Sequence, residues 1–475
     1  MDPIYYEVIK RPNIKYKLYF VIISLLTVIF VTCFTLFYLF TLNKNDTIID
    51  YRPQQIHLAI GDNIRELVIA WSTRSDPDES IVNFGYDCND TYMIASGERK
   101  LLDSNGVHQY IHFTTLKHLR PQSKYCYSVG SHKSWSKQYE FISFPEDQNW
   151  SPTVALVGDM GYDNGRSINS LSVNTLKGKY DAVIHIGDIG YNLYAFNGLM
   201  GDSFMNAVQP FAARVPYMVI PGNHEYICYD NRCPSDYGTS YETRFKMPQS
   251  DDNSHYTFTL GPILFIGIST EVYFQSEMSD LEASQKQLKW LTNVLKEANK
   301  PENRARHPWI VLYGHRPLYC SAESECIDGM TPFIKDGNVV GSLFDIDDLL
   351  YAYGVDLAFW GHMHYYERMY PTYNQTAYVN SMYSNAFVNP RATVHIISGT
   401  GGMHSGTETY SPIPALWTAF RSSAYGYTRF TVYNESHLYL EQIDVDKNDL
   451  VIDSNWIVQQ EHQSFIIKNK NLKTN

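Results

Sequence analysis

Apolar positions follow three different patterns along the chain. Residues 18–42 form a run of 25 positions without a charged side chain, rich in Phe, Ile, Leu and Val and lacking a polar face. From residue 52 to about 147 the apolar stretches are short, as at 67–71, 81–85, 110–113 and 125–129, and are separated by Gly, Asp, Asn and Pro clusters. That spacing predicts strands and turns with no helix of any length, hence a small β-sandwich of immunoglobulin or fibronectin III type. Beyond residue 150 the β-branched runs recur at wider intervals, at 154–157, 182–186, 217–220, 263–268, 310–312, 357–359 and 394–397. Helical periodicity fills several of the gaps: Leu288, Leu291, Leu295 and Ala298 share one face of a helix over 283–299, and 345–353 predicts another. Continuous apolar strands alternating with helices imply buried sheets covered by helices. The expectation is an α/β domain over 150–460, followed by a polar tail over 461–475 that is frayed after about residue 467.

The first run is long enough to cross a bilayer, which takes roughly 20 apolar residues. It ends in bulky side chains instead of a small-residue cleavage site, so the expectation is a membrane-spanning signal anchor over 18–42. Lys10, Arg11, Lys15 and Lys17 precede it and only Lys44 follows closely. The positive-inside rule then gives a cytoplasmic N-terminus over 1–17, a linker over 43–51 and a fibronectin III-like domain over 52–147. This is a type II, single-pass arrangement with the catalytic domain luminal or extracellular; cleavage of the first segment would make the protein secreted.

Cysteines and sequons agree with an oxidising compartment. Cys33 lies within the first run, and the other six of the seven cysteines (Cys88, Cys126, Cys228, Cys233, Cys320 and Cys326) can form three disulfides. Nearest-neighbour pairing, 88–126, 228–233 and 320–326, is one of 15 connectivities. No C-x-x-C pair is present, which argues against a thiolate-ligated zinc. Asn45, Asn89, Asn149, Asn374 and Asn434 are glycosylation candidates. A net charge of −12 argues against general affinity for nucleic acid.

The chemistry lies at the ends of the apolar strands of the α/β region. Five of them run into a glycine followed at once by a carboxylate, an amide or an imidazole: Gly158-Asp159, Gly187-Asp188, Gly222-Asn223, Gly314-His315 and Gly361-His362. Ligands in α/β folds gather at the carboxyl ends of strands. Each pair taken alone is an ordinary turn, since Gly, Asp and Asn favour turn geometry, and a lone histidine is more often a satisfied, partly buried one. Together with Tyr191 and His364 they make two aspartates, one asparagine, one tyrosine and three histidines. Seven O and N donors without a thiolate suit Fe, Zn or Mn and exceed one tetrahedral zinc site. They suit two ions sharing a carboxylate, about 3.5–4 Å apart, which stabilise an in-line phosphoryl displacement.

At these residues the sequence resembles the purple acid phosphatases of the metallophosphoesterase superfamily, in their long, plant-type form that also occurs in animals. The family pattern GDxG, GDxxY, GNH(D/E), (V/A)xxH, GHxH is matched by Gly158-Asp159-Met160-Gly161, Gly187-Asp188-Ile189-Gly190-Tyr191, Gly222-Asn223-His224-Glu225, the segment from Val311 to His315, and Gly361-His362-Met363-His364. Val311 stands one residue too far from His315, so Leu312 is the better match for the fourth motif. The resemblance implies that Asp159, Tyr191 and His364 hold Fe(III), that Asp188 bridges, and that Asn223, His315 and His362 complete a second site for Zn, Fe or Mn. It implies a catalytic domain of two packed mixed sheets flanked by helices, and an acid phosphatase that cleaves small phosphate monoesters by metal-hydroxide attack, with His224 binding the phosphate or protonating the leaving oxygen. Relatives dimerise, although no cysteine here identifies a dimer link. Plant relatives carry further histidines after the fourth motif; residues 318–326 contain none. Arg368 reads as structural, and His404 as a residue that could line the pocket.

Two other readings remain open at this point. A two-divalent-metal phosphodiesterase or a nucleotide-hydrolysing ectoenzyme would share the fold and most ligands, with Tyr191 speaking against it. A non-catalytic, membrane-tethered binding protein would be expected to have lost ligands.

Overall fold

The computed structural model describes residues 19, 25–32, 49–104, 106–226, 238–273, 281–322, 333–335, 338–341, 343–379 and 385–474. The chain divides into two compact units, Met1–Asp50 and Tyr51–Asn475.

In the first unit the sequence expectation is corrected. No helix among the described residues is long and apolar enough to cross a membrane. Within 18–42 the described helical positions are residue 19 and the eight residues 25–32. This overturns the membrane-spanning anchor over 18–42 and the type II, single-pass arrangement built on it. The other positions of 18–42 lie outside the described residues.

The second unit begins with two antiparallel sheets. One orders Gln54–Ile60, Leu67–Thr73, Val107–Leu116 and Glu98–Ser104. The other orders Met93–Ser96, Ile81–Gly85, Lys124–Ser131 and Ser134–Trp135, with Tyr139–Ile142 also paired to Lys124–Ser131. Large side chains of this part of the chain, among them Trp71, Tyr125, Tyr127 and Phe141, are buried. Cys88 and Cys126 form a disulfide with Cα atoms 5.1 Å apart. Cys320 is disulfide-bonded as well; Cys228, Cys233 and Cys326 lie outside the described residues.

Two seven-stranded mixed sheets follow. The first has the order Tyr217–Ile220, Ala182–Ile186, Thr153–Val157, Gly426–Asn434, His437–Asp444, Leu450–Val458 and Ala386–Val388. The second has the order His255–Leu260, Ile263–Ile268, Trp309–Tyr313, Leu357–Trp360, Val394–Ser398, Tyr366–Met369 and Thr418–Ser422. Phe430 of the first sheet stacks on Phe359 of the second at 5.5 Å and meets Phe265 at 6.2 Å, so the core lies between the sheets. Helices Arg166–Leu176, Leu199–Ala212, Leu281–Ala298 and Leu343–Tyr353 connect the strands. Three strands of the first sheet (Thr153–Val157, Ala182–Ile186, Tyr217–Ile220) run parallel, as do four of the second (Ile263–Ile268, Trp309–Tyr313, Leu357–Trp360, Val394–Ser398).

The carboxyl tail differs from its sequence reading. Residues Phe465–Thr474 form a helix, although their polarity suggests a frayed end. Phe465 is fully buried, Lys468 Nζ donates to Pro390 O at 2.9 Å, and Asn469 Nδ2 donates to the Tyr351 hydroxyl at 2.6 Å. Tertiary contacts, not local propensity, hold it.

Candidate metal centre

Parallel strands that share a direction bring their following loops to one edge, and that is where the sequence motifs meet. Asp159 and Asp188 follow the first two parallel strands and both adopt positive φ, 59° and 55°. Behind them, short parallel strands Met160–Gly161 and Ile189–Gly190 pair and draw the two loops together. The glycines are required by close approach. A Cβ on Gly222 would lie 2.4 Å from Asp188 Oδ1, one on Gly187 2.4 Å from His315 Nδ1, and one on Gly361 2.7 Å from Asp159 Oδ2.

Asp188 Oδ1 accepts the His224 backbone N–H at 2.9 Å and lies 3.2 Å from His315 Nε2. Asn223 Oδ1 sits 3.0 Å from His315 Nε2 and 2.8 Å from His362 Nδ1. On the other side, the Tyr191 hydroxyl is 2.9 Å from His364 Nε2 and donates to Asp159 Oδ1 at 3.4 Å. Asp159 also accepts the His362 N–H. Two groups of donor atoms result, Asp188 with His315 and His362, and Asp159 with Asp188 and His364; within each, the atoms lie within 4.8 Å of one another. Asp188 belongs to both. All seven expected positions are thus brought together, and the eighth, His224, sits beside them with its ring 4.5 Å edge-on to Tyr191.

The surroundings orient these side chains. His315 Nδ1 faces Ile186 O at 2.9 Å, which puts the proton there and turns the Nε2 lone pair inward. Glu408 Oε1 lies 3.2 Å from His364 Nδ1 and acts likewise. Arg316 Nη1 donates to His362 Nε2 at 3.0 Å while its Nε pairs with Glu271 at 3.1 Å. His224 Nδ1 is 2.9 Å from Asn192 Oδ1. Glu225 accepts three backbone N–H groups, from Gly222, Asp188 and Ile189, at 2.8–3.0 Å.

The histidines of the cluster divide electrostatically: burial lowers His224, and burial with the Arg316 charge lowers His362, whereas two others are raised. Burial alone would push the His315 imidazole down, but the Asp188 carboxylate beside it raises it to about 10. His364 is likewise depressed by burial yet raised to about 10 by Asp159 and Glu408. Burial would raise Asp188, but His315 and His224 hold it well below the usual carboxylate range. Burial raises Glu225 to about 8, with the Asp188 charge adding to it. Protons on these histidines occupy the place that cations would take, and metal binding would release them. A buried, glycine-cradled set of O and N donors sharing one carboxylate fits a pair of metal ions.

Glu408, Glu271 and Asn192 were not legible as site residues: each is a lone polar residue, and only the fold sets Glu408 and Asn192 against a histidine and Glu271 against Arg316. His404 lines the pocket and lies 5.8 Å from the Tyr191 ring. Arg368 forms a bidentate pair with Asp453 at 2.7 and 2.9 Å, which is a structural role. The sequons Asn89, Asn149, Asn374 and Asn434 are exposed, and Asn45 lies outside the described residues.

Three family models match in succession: the purple acid phosphatase N-terminal domain over residues 53–143, calcineurin-like phosphoesterase over 152–366, and iron/zinc purple acid phosphatase-like protein C over 392–454. Acid phosphatase type 7 of Danio rerio is 38% identical over 426 residues, covering 88% of this chain and 94% of that protein. The Homo sapiens acid phosphatase type 7 is 36% identical over 436 residues, covering 90% and 96%. Among solved structures, a purple acid phosphatase from yellow lupin (Lupinus luteus) seeds has the same fold, with TM-score 0.71 at 24% identity over 86% of this chain and 75% of that one. With its strand-end donors converging on one shared carboxylate, the chain belongs to the purple acid phosphatase family.

Proposed function

We propose that the protein is an acid phosphatase that hydrolyses small phosphate monoesters at a two-metal centre. The observation that carries this reading is the position of Asp188 in both donor groups, as a bridging carboxylate requires. Asp159, Tyr191 and His364 would hold one ion, and Asn223, His315 and His362 the other. A phenolate at Tyr191 favours Fe(III) in the first site; the second set of oxygen and imidazole donors suits Zn, Fe or Mn. When bound, the ions supply Lewis acidity to the phosphoryl oxygens and make a water acidic enough to serve as nucleophile.

The chain's own residues do the rest. Ile186 O and Glu408 fix the tautomers of His315 and His364. Glu225 ties the Asp188 and Asn223 loops together through backbone N–H groups, so the donors are rigid before substrate arrives. His224, held by Asn192 and facing the pocket, would donate a hydrogen bond to the phosphate or a proton to the leaving oxygen. Residues 52–147 act in this reading as a fibronectin III-like support, and 150–460 as the catalytic domain.

The test is metal analysis of the purified full chain alongside hydrolysis of para-nitrophenyl phosphate. The reading expects two ions per chain and turnover that disappears on chelation and returns on reloading. Turnover that persists in chelated, metal-free protein would contradict it.

A further inference from the structure

The metal centre opens into a pocket of about 650 Å³ whose outer wall is aromatic. Tyr191 and His224 form its floor, and Tyr162, Tyr194 and Phe196 line it further out. Phe196 is 76% exposed and Tyr162 44% exposed. Phe196 also has φ of 53°, a left-handed conformation that a bulky residue rarely adopts and that persists only where the surroundings impose it.

The surroundings here do impose it. Ala195 N–H donates to Asn192 O at 2.8 Å, Gly198 N–H to Tyr194 O at 3.0 Å and Leu199 N–H to Phe196 O at 3.3 Å, so the loop is stitched to itself. The N-terminal sandwich braces it from outside. A Cβ on Gly106 would lie 2.9 Å from Asn197 Cγ, and one on Gly198 2.1 Å from Val107 Cγ2. A rigid loop thus holds an apolar ring in solvent beside the reacting centre.

From this geometry we infer that the pocket selects phosphate monoesters of aromatic alcohols, with Phe196 as a specificity-determining residue that packs against the leaving-group ring. The inference rests on the phosphatase reading. Ring pairing at 4.5–7 Å between centroids favours an aryl over an alkyl group of equal charge. The sandwich then contributes to specificity by holding the Phe196 loop in place.

Phosphonates provide the test, because their P–C bond is not hydrolysed and leaving-group acidity drops out. On the full, metal-loaded chain, dissociation constants of phenylphosphonate and methylphosphonate are measured by calorimetry for the wild type, Phe196→Ala and Phe196→Trp. The expected result is tighter binding of phenylphosphonate by the wild type. Phe196→Ala should reduce that preference by between about twofold and about tenfold, while Phe196→Trp preserves it. Equal affinities in the wild type, or an unchanged preference in Phe196→Ala, would overturn the inference and leave the phosphatase reading standing. Loaded protein that binds neither phosphonate and cleaves no para-nitrophenyl phosphate would overturn both.

Discussion

Glu408 grips His364 at two points: its Oε1 lies 3.2 Å from the ring Nδ1, and its Oε2 accepts the His364 backbone N–H at 3.2 Å. The ring is thereby turned so that Nε2 faces the Tyr191 hydroxyl and Asp159. Carboxylates in this position raise the basicity of a ligating imidazole and fix its orientation, and their loss costs about 10–100-fold in metal affinity. Glu408→Ala is expected to show a loss of that size in chelator competition. Unchanged affinity would remove Glu408 from the site's supporting groups.

Tyr191→Phe separates the identity of the metal from its presence. In the proposed Fe(III) site the Tyr191 phenolate would give a visible charge-transfer band. The variant should therefore lose that band in the absorption spectrum, and a band that survives would place the chromophore elsewhere.

The sandwich and catalytic domain are joined by a buried charge. Asp202 Oδ1 accepts from Arg244 Nη2 at 3.1 Å and from Gln55 and Gln109 Nε2, each at 2.9 Å, and Arg74 contacts its other oxygen. Asp202→Ala would leave the buried Arg244 guanidinium without its carboxylate, at a cost of about 3–5 kcal/mol. Chemical denaturation should show a loss of that order, and a change below about 1 kcal/mol would mean that Gln55 alone satisfies Arg244.

The strand-end donors were readable because a glycine followed by a polar residue directly after an apolar strand is a local signal. Strands such as 182–186 and 357–359 were readable because burial on both faces leaves continuous apolar sequence, and the helices over 283–299 and 345–353 from their helical pattern; Arg166–Leu176 and Leu199–Ala212 were not read. Pairings made across the fold were not. Glu408 to His364, Glu271 to Arg316 and Asn192 to His224 join loops that carry no period. Hydrophobicity also misled in both directions. The run over 18–42 reads as a spanning helix yet none is found among the described residues, and the polar tail, held by Phe465 and Asn469, is helical.

Acid stability should depend on His112. Its ring stacks on Trp71 at 4.9 Å between the Thr73 and Ser80 hydroxyls, and burial lowers its pKa to about 4, with the Arg99 charge adding. The unfolded chain therefore takes up this proton first as pH falls. The contribution is present above pH 6.5 and is lost progressively between 6.5 and about 4. In full it amounts to about 3 kcal/mol. Thermal unfolding should show Tm falling across that window, with a shallower slope for His112→Gln; identical slopes would assign the acid sensitivity to other groups.

Replacing the shared carboxylate tests the central claim most directly. The measurement is the rate of para-nitrophenyl phosphate hydrolysis from acidic to neutral pH, with metal content, for the wild type and Asp188→Asn. The account predicts an active wild type with two ions, and a folded variant that loses metal and is inactive at every pH. A variant that matches the wild type in rate and metal content would contradict a centre built on Asp188.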